Sequence, residues 1–350
     1  MGPNFLPGSL TGSTRSKGLL LAAAAMAAVA AVACSSGGYT QSDDTRPAAN
    51  LNAPAATATP LVIDEQRSLL ESLEQYPSFK DEESGFGVIL GTPDLGVGQN
   101  RVAFVMTDSD FGIVKFPFSR VETFFLPDGP GGKKEGPVER VNAQFFDFPL
   151  RVRGIYVADL NLDRAGAWEI FVTIPDNDGN RIGIRFPFDV ADASASVALG
   201  ARVPPSANRT LSDVDSIFEL TTAGKPDPLL YDRSIKSLLD EGRPFVVTFA
   251  SPAFCTNALC GPQVEVLSSV GERHSDIAEF VHIDLYENPD QIKGDLSKAD
   301  RTPILEEWGV HTDEWTFVVN GNGEVVAKFE AFVPEEELEQ AVVRFLEQPG

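Results

Sequence analysis

The stretch Pro244-Phe245-Val246-Val247-Thr248-Phe249-Ala250-Ser251-Pro252-Ala253-Phe254-Cys255-Thr256-Asn257-Ala258-Leu259-Cys260-Gly261-Pro262 decides the reading of the C-terminal half. Pro244–Ala250 is a near-continuous apolar run, the pattern of a strand buried on both faces of its sheet. Two cysteines follow, and helical spacing takes over at Val264, Leu267 and Val270. A strand that runs through a cysteine loop into a helix places sulfur where the chain leaves the sheet. The spacing constrains what that sulfur can do. Residues five apart in a regular α-helix have Cα atoms about 8.6 Å apart, whereas a disulfide needs less than about 7 Å. Cys255 and Cys260 therefore cannot pair inside one unbroken helix, and an oxidised pair predicts a non-helical segment within 255–259. Either Cys255 sits in the loop before the helix or the first turn unwinds on oxidation, and Pro252 favours the first by stiffening the approach.

Outward from this junction, Asp232–Glu241 reads as a helix closed by Gly242, and Phe280–Leu285 as a second strand. Ile304–Trp308 reads as helical. Trp315–Val319 and Val325–Phe329 form a hairpin across Asn320-Gly321-Asn322-Gly323. Pro334–Leu346 is a helix that opens on Glu335, Glu336 and Glu337, acids suited to a helix N-terminus. It carries Leu338, Val342 and Leu346 on one face.

This order, over residues 226–350, resembles the thioredoxin fold. The resemblance implies thiol–disulfide exchange, with Cys255 as the attacking thiol and Cys260 as the thiol that resolves the mixed disulfide. Backbone N–H groups at the helix N-terminus would hold the Cys255 thiol below its free value of about 8.5. Pro252 and Trp315 would wall the site. Two features depart from the family. Four residues separate the cysteines instead of two, and Glu314-Trp315 stands where the family carries a cis-proline before the hairpin strand.

Other readings stay open. The pair could be an inert staple in an oxidising compartment, although so small a loop restricts the unfolded chain little. Sco-type copper-delivery proteins are also tethered thioredoxin folds with two nearby cysteines and a distant histidine. That reading makes Cys255, Cys260 and His311 copper ligands, and otherwise no cofactor is expected. One peroxiredoxin type shares the four-residue spacing, but Pro252 stands where that family has Thr or Ser. A non-catalytic binding module on a thioredoxin scaffold is the fourth class. Asp284, Glu287, Asp290, Asp295 and Asp300 read as a solvated acidic loop, since they lack a recognised Ca²⁺ spacing.

Upstream, runs at Phe86–Leu90, Arg101–Thr107, Arg120–Leu126, Val138–Phe146, Val152–Leu162, Trp168–Ile174 and Ile182–Val190 alternate with Gly, Pro, Asn and Asp clusters. They predict an immunoglobulin-like antiparallel β-sandwich over 84–191, with Trp168 in its core, and a barrel as the alternative. This region has neither Cys nor His, so its phenylalanine clusters read as core or as a partner-binding face. Residues 61–83 read as a short helical segment, with Leu69, Leu70 and Leu73 on one side. Residues 192–225 read as a linker running along the sandwich.

The N-terminus is an address. Arg15 and Lys17 flank an apolar run from Gly18 to Ala33, the pattern of a secretory signal over 1–33. Ala31-Val32-Ala33-Cys34 followed by Ser35-Ser36-Gly37-Gly38 resembles the lipobox of bacterial lipoproteins. That resemblance implies lipidation of Cys34, a flexible tether over 34–60, and an extracytoplasmic protein anchored to a bacterial membrane. Its partners would be exported proteins with thiols or disulfides. The 350 residues carry 51 acidic and 28 basic side chains, a formal charge of -23, and such a field excludes nucleic acid as a partner.

Overall fold

The computed structural model describes residues 59–60, 76–108, 112–148, 154–175, 181–254 and 260–346. The signal segment, Cys34, most of the tether, the helix expected over 61–76 and Cys255 lie outside the described residues. Every described residue falls within one unit, Ala49–Gly350.

Two sheets organise it. The first contains β1 (Thr59–Pro60), β2 (Ser78–Lys80), β3 (Gly87–Leu90), β4 (Gly98–Thr107), β5 (Phe118–Phe125), β6 (Glu135–Asp147), β7 (Gly154–Leu162), β8 (Gly166–Pro175) and β9 (Arg181–Val190). Their order is β1-β2-β3-β4-β7-β6-β5-β8-β9, and each neighbouring pair is antiparallel. Residues 78–80 are therefore strand, which corrects the helical segment read over 61–83, and 59–60 of the tether pair with them.

Period-two alternation places Val102, Phe104 and Met106 of β4 in one core with Tyr156, Ala158 and Leu160 of β7, Trp168, Ile170 and Val172 of β8, and Ile184 and Phe186 of β9. The sheet folds over to enclose that core. Its last strand returns to the start of β4, where the Val97 amide donates to Ala191 O (3.0 Å) and the Ala191 amide donates to Leu95 O (3.0 Å). Trp168 is fully buried, donates from Nε1 to Arg164 O (3.0 Å) and meets Phe125 edge-on.

The second sheet has the order β11-β10-β12-β13, from β10 (Phe245–Phe249), β11 (Glu279–Ile283), β12 (Trp315–Val319) and β13 (Val325–Glu330). β10 and β11 are parallel, joined through α2 (Cys260–His274), whereas β12 is antiparallel to both β10 and β13. The hairpin turn is built by Asn320, whose Oδ1 accepts from the amides of Asn322 and Glu324 (3.0 Å each), with Gly323 in the left-handed region at φ 78°. α1 (Ile235–Glu241), α3 (Pro289–Ile292), α4 (Ile304–Glu307) and α5 (Glu335–Leu346) complete this half. One sheet face packs on α2 and α5, through Val246, Val318, Leu267 and Val342. The other packs on α1 and α4, through Val247, Phe317, Leu238 and Trp308.

The two halves share a core. Ala103, Ile155 and Val157, on the outer face of β4 and β7, join the cluster that holds α2 and α5, and Phe148 meets Phe332 edge-on at 5.0 Å. Residues 192–225 correct the expectation of a linker along the sandwich. Their start is tied to the first half, where Asp94 accepts from the amides of Ala195 and Ser196. The rest straps the second sheet: Val197 donates to Trp308 O (3.0 Å), Gly200 to Val325 O (2.8 Å) and Val203 to Gly323 O (2.9 Å).

Candidate functional site

The site grows from the end of β10. Successive residues of this strand alternate between the two sheet faces, so Val246 and Ala250 point to the α2 face while Val247 and Phe249 point away. Beyond it, Ser251 is buried and its hydroxyl lies 3.1 Å from Thr222 Oγ1, which also accepts from the Ala253 amide (3.1 Å). Pro252 is half-buried. Its carbonyl lies against Gly261 in the first turn of α2.

Cys260 is the first residue of α2, is fully buried, and is disulfide-bonded. The chain's other cysteines, Cys34 and Cys255, lie outside the described residues. Cys260 Sγ sits 3.6 Å from the carbonyl oxygen of Asp313. A disulfide sulfur has no proton to donate, so this is a packing contact that becomes an S–H···O site on reduction.

Asp313 belongs to the loop before β12, where Thr312, Asp313 and Glu314 are buried and His311 is exposed. Thr312 Oγ1 donates to Glu330 Oε1 (2.7 Å) and accepts from Trp315 Nε1 (2.8 Å), and Glu330 Oε2 accepts from the Asp94 amide (2.9 Å). Burial pushes the Glu330 carboxyl up to about 8; the bonds from Thr312 and Asp94 oppose that shift, the Asp94 charge reinforces it and Lys328 opposes it. Burial likewise raises the Tyr76 phenol, reinforced by the charges of Glu314, Asp313 and Glu330. Cys260 thus lies beside a buried acidic shelf.

The folded state holds the Glu330 proton more tightly than the unfolded chain, whose carboxyl titrates near 4.5. The associated stability is complete below that value and is lost as pH rises through about 8. Relative to Glu330→Gln, the wild type should lose on the order of 5 kcal/mol of unfolding free energy over this window, read by urea denaturation at several pH values. Parallel pH profiles for the two proteins would contradict this.

A second buried network supports the loop from below. Asp284 Oδ2 accepts from the amide (2.8 Å) and hydroxyl (2.9 Å) of Thr222, and Oδ1 accepts from the Tyr286 amide (3.3 Å). Burial pushes Asp284 up to about 6 against these bonds. His282 Nε2 lies 2.9 Å from Ala250 O and Nδ1 lies 2.7 Å from the Tyr231 hydroxyl. The carbonyl can only accept, so Nε2 carries the proton and Nδ1 accepts from Tyr231. Burial lowers His282 to about 4, so the neutral ring is the folded form at neutral pH. Here the sign reverses. The stability is complete above the unfolded value of 6.5 and is lost as pH falls through about 4. His282→Gln preserves one donor and one acceptor, and should flatten that acid limb in the same denaturation series.

The sequence-derived candidates separate on this frame. Trp315 pairs with Phe249 and stacks on Phe317 at 5.4 Å, on the sheet face opposite Cys260. It is core and not a wall of the cysteine site, and Trp308 fills the same core. The acidic loop is solvated except at its start: Glu287, Asp290, Asp295 and Asp300 are exposed, and Asp284 alone is buried. Asp284 is 3% exposed, Glu287 accepts from the Thr302 hydroxyl, and Asp295 bonds Ser297 and pairs with Lys298. Among the described residues no group of three His, Cys, Asp or Glu side chains is arranged to hold a metal. Of the three residues named for copper, Cys260 is buried and disulfide-bonded, His311 is exposed, and Cys255 lies outside the described residues. A cavity of about 250 Å³ opens beside His282 and Asp284, not at Cys260. The polar groups around it are bonded within the protein: Glu307 accepts from Ser206, and Arg209 donates to the carbonyls of Glu219 and Glu287.

No protein-family model matches the chain, and no curated protein matches it. Among solved structures it is similar to a proposed thiol:disulfide interchange protein, DsbE, from Chlorobium tepidum, at 14% identity and a TM-score of 0.31 over 43% of this chain and 98% of that one. A conjugative transposon lipoprotein from Bacteroides eggerthii DSM 20697 gives 18% identity and a TM-score of 0.16 over 30% and 96%. MtrC from Shewanella baltica OS185 gives 12% and 0.22 over 69% and 51%. Likenesses this low carry no argument about function. No helix among the described residues is long and apolar enough to cross a membrane.

Proposed function

We propose that this protein is an extracytoplasmic thiol–disulfide oxidoreductase, tethered to a bacterial membrane through a lipidated Cys34, whose redox pair is Cys255 and Cys260. The observation that carries the reading is Cys260, a disulfide-bonded, fully buried sulfur at the start of α2, set against the loop before β12. The strand order β11-β10-β12-β13, with a parallel β10–β11 pair linked through the cysteine-bearing helix, supports a thioredoxin-like half. The order β3-β4-β7-β6-β5-β8-β9 follows the A-B-E-D and C-F-G strands of a constant-type immunoglobulin sandwich, which supports an immunoglobulin-like half.

In the reducing direction the Cys255 thiolate attacks a substrate disulfide, forms a mixed disulfide and releases one substrate thiolate. Cys260 then attacks the Cys255 sulfur, closing the 255–260 bond and releasing the second thiolate. Two electrons pass from the pair to the substrate, and the two protons of the dithiol end on the two substrate sulfurs. The substrates are exported proteins with exposed disulfides or thiols.

Equilibrating the full-length protein in detergent with glutathione buffers of graded ratio tests this reading. A reversible two-electron transition, together with catalysed reduction of a protein disulfide, is expected. A Cys260 disulfide that no buffer ratio opens would make it a staple and end the proposal.

A further inference from the structure

We propose that Gln263 is the hydrogen-bond donor for the Cys260 sulfur when the disulfide opens, its side-chain Nε2–H holding the thiolate that resolves the mixed disulfide. This rests on the redox reading above. Gln263 lies on α2 three residues after Cys260, so both side chains project from the same helix face, and both are fully buried. Its Oε1 is engaged, accepting from the Val333 amide at 2.8 Å. Its Nε2 has no hydrogen-bond partner among the described residues.

A chain of contacts joins the two side chains from the other side. Cys260 Sγ rests on Asp313 O (3.6 Å), the next residue, Glu314, accepts from the Ala331 amide (2.9 Å), and Val333 follows two residues later on Gln263. Helix, loop and turn thus close a ring around the sulfur and the amide. A buried N–H without a partner is costly, and one kept in a native fold calls for an explanation. The redox state supplies it. A disulfide sulfur is a poor acceptor, so the donor is orphaned in the oxidised protein. A thiolate is a strong acceptor and, in a dry site, needs a donor.

The step balances without involving Gln263 in proton transfer. Cys260 loses its proton, its sulfur bonds to the Cys255 sulfur, the Cys255–substrate bond breaks, and the proton ends on the departing substrate sulfur. Gln263 only steadies the negative charge. Because the donor favours the reduced pair, removing it should shift the equilibrium toward the disulfide.

The experiment uses full-length protein in detergent. Gln263→Met removes donor and acceptor without adding charge, whereas Gln263→Glu keeps the acceptor for Val333 and removes both donors. Against glutathione, Gln263→Met should favour the disulfide by about tenfold over wild type, and Gln263→Glu by more. In the wild type, the Gln263 side-chain amide proton signals should move downfield on reduction. Both variants within twofold of wild type, or amide signals indifferent to redox state, would overturn the proposal. Failure of the parent reading is distinguishable. A wild type that never equilibrates with glutathione defeats the oxidoreductase, while the amide comparison after forced reduction with a phosphine still decides the contact.

Discussion

Cys260→Ala is expected to turn a transient intermediate into a stable one. With Cys255 free to attack and no thiol to displace the substrate, the protein should accumulate mixed disulfides with exported proteins, resolved at least about 10³-fold more slowly than in the wild type. The factor reflects the loss of an intramolecular nucleophile, whose effective concentration far exceeds that of any thiol in solution. The fold should survive, since the change removes one small buried sulfur from a cluster rich in Val, Leu and Phe. Non-reducing electrophoresis followed by mass spectrometry reads the trapped species. Cys255→Ala should trap nothing, and equal turnover by both variants would remove the cysteines from the chemistry.

Arg101→Met is expected to be the most damaging change at the junction of the two halves, costing about 3–5 kcal/mol. Arg101 sits on the outer face of β4 with its side chain 8% exposed. Nε and Nη2 donate to the two oxygens of Glu337 at 2.7 and 2.9 Å, Nη1 donates to Glu330 O at 3.0 Å, and Nη2 also reaches Phe332 O at 2.8 Å. Methionine fills much of the volume but leaves a carboxylate and two carbonyls of the cysteine-bearing half without their donor, which explains the size of the effect. Urea unfolding should show a lower midpoint and a transition that separates into two steps. Glu337→Gln, which keeps the shape but only one of the two accepting oxygens and leaves the carbonyl contacts of Arg101 intact, should cost less. A single transition at the wild-type midpoint would mean the halves are held by apolar contact alone.

Much of this architecture is legible in the residues, for physical reasons. Strands β6 and β9 alternate more and less buried positions, and the Asn320–Gly323 turn has chemistry specific to a hairpin, so periodicity and turn signals locate them. Strand β10 is the opposite case. Its residues are buried on both faces, so the sequence carries no sign of which face holds Cys260. Trp315 was therefore readable as strand but not as lying on the far side of the sheet. Buried carboxyls mislead in the same way. Asp284 follows a strand in a stretch rich in acids, and the Thr222 donors, brought in by the strap over 192–225, help make its burial tolerable. Arg101 and Glu337 are 236 positions apart, and no local pattern could pair them. His282 did leave a signal, as a polar residue inside the otherwise apolar Phe280–Ile283, and Gln263 left one on the apolar face of α2.

The central claim is a reversible bond between Cys255 and Cys260, and peptide mapping under non-reducing conditions tests it most directly. The protease fragment that spans both cysteines should be two hydrogens lighter than its reduced form and should recover that mass when the protein is poised in reducing buffer. A Cys260 found cross-linked to Cys34, or a fragment whose mass never changes with the buffer, would contradict the account.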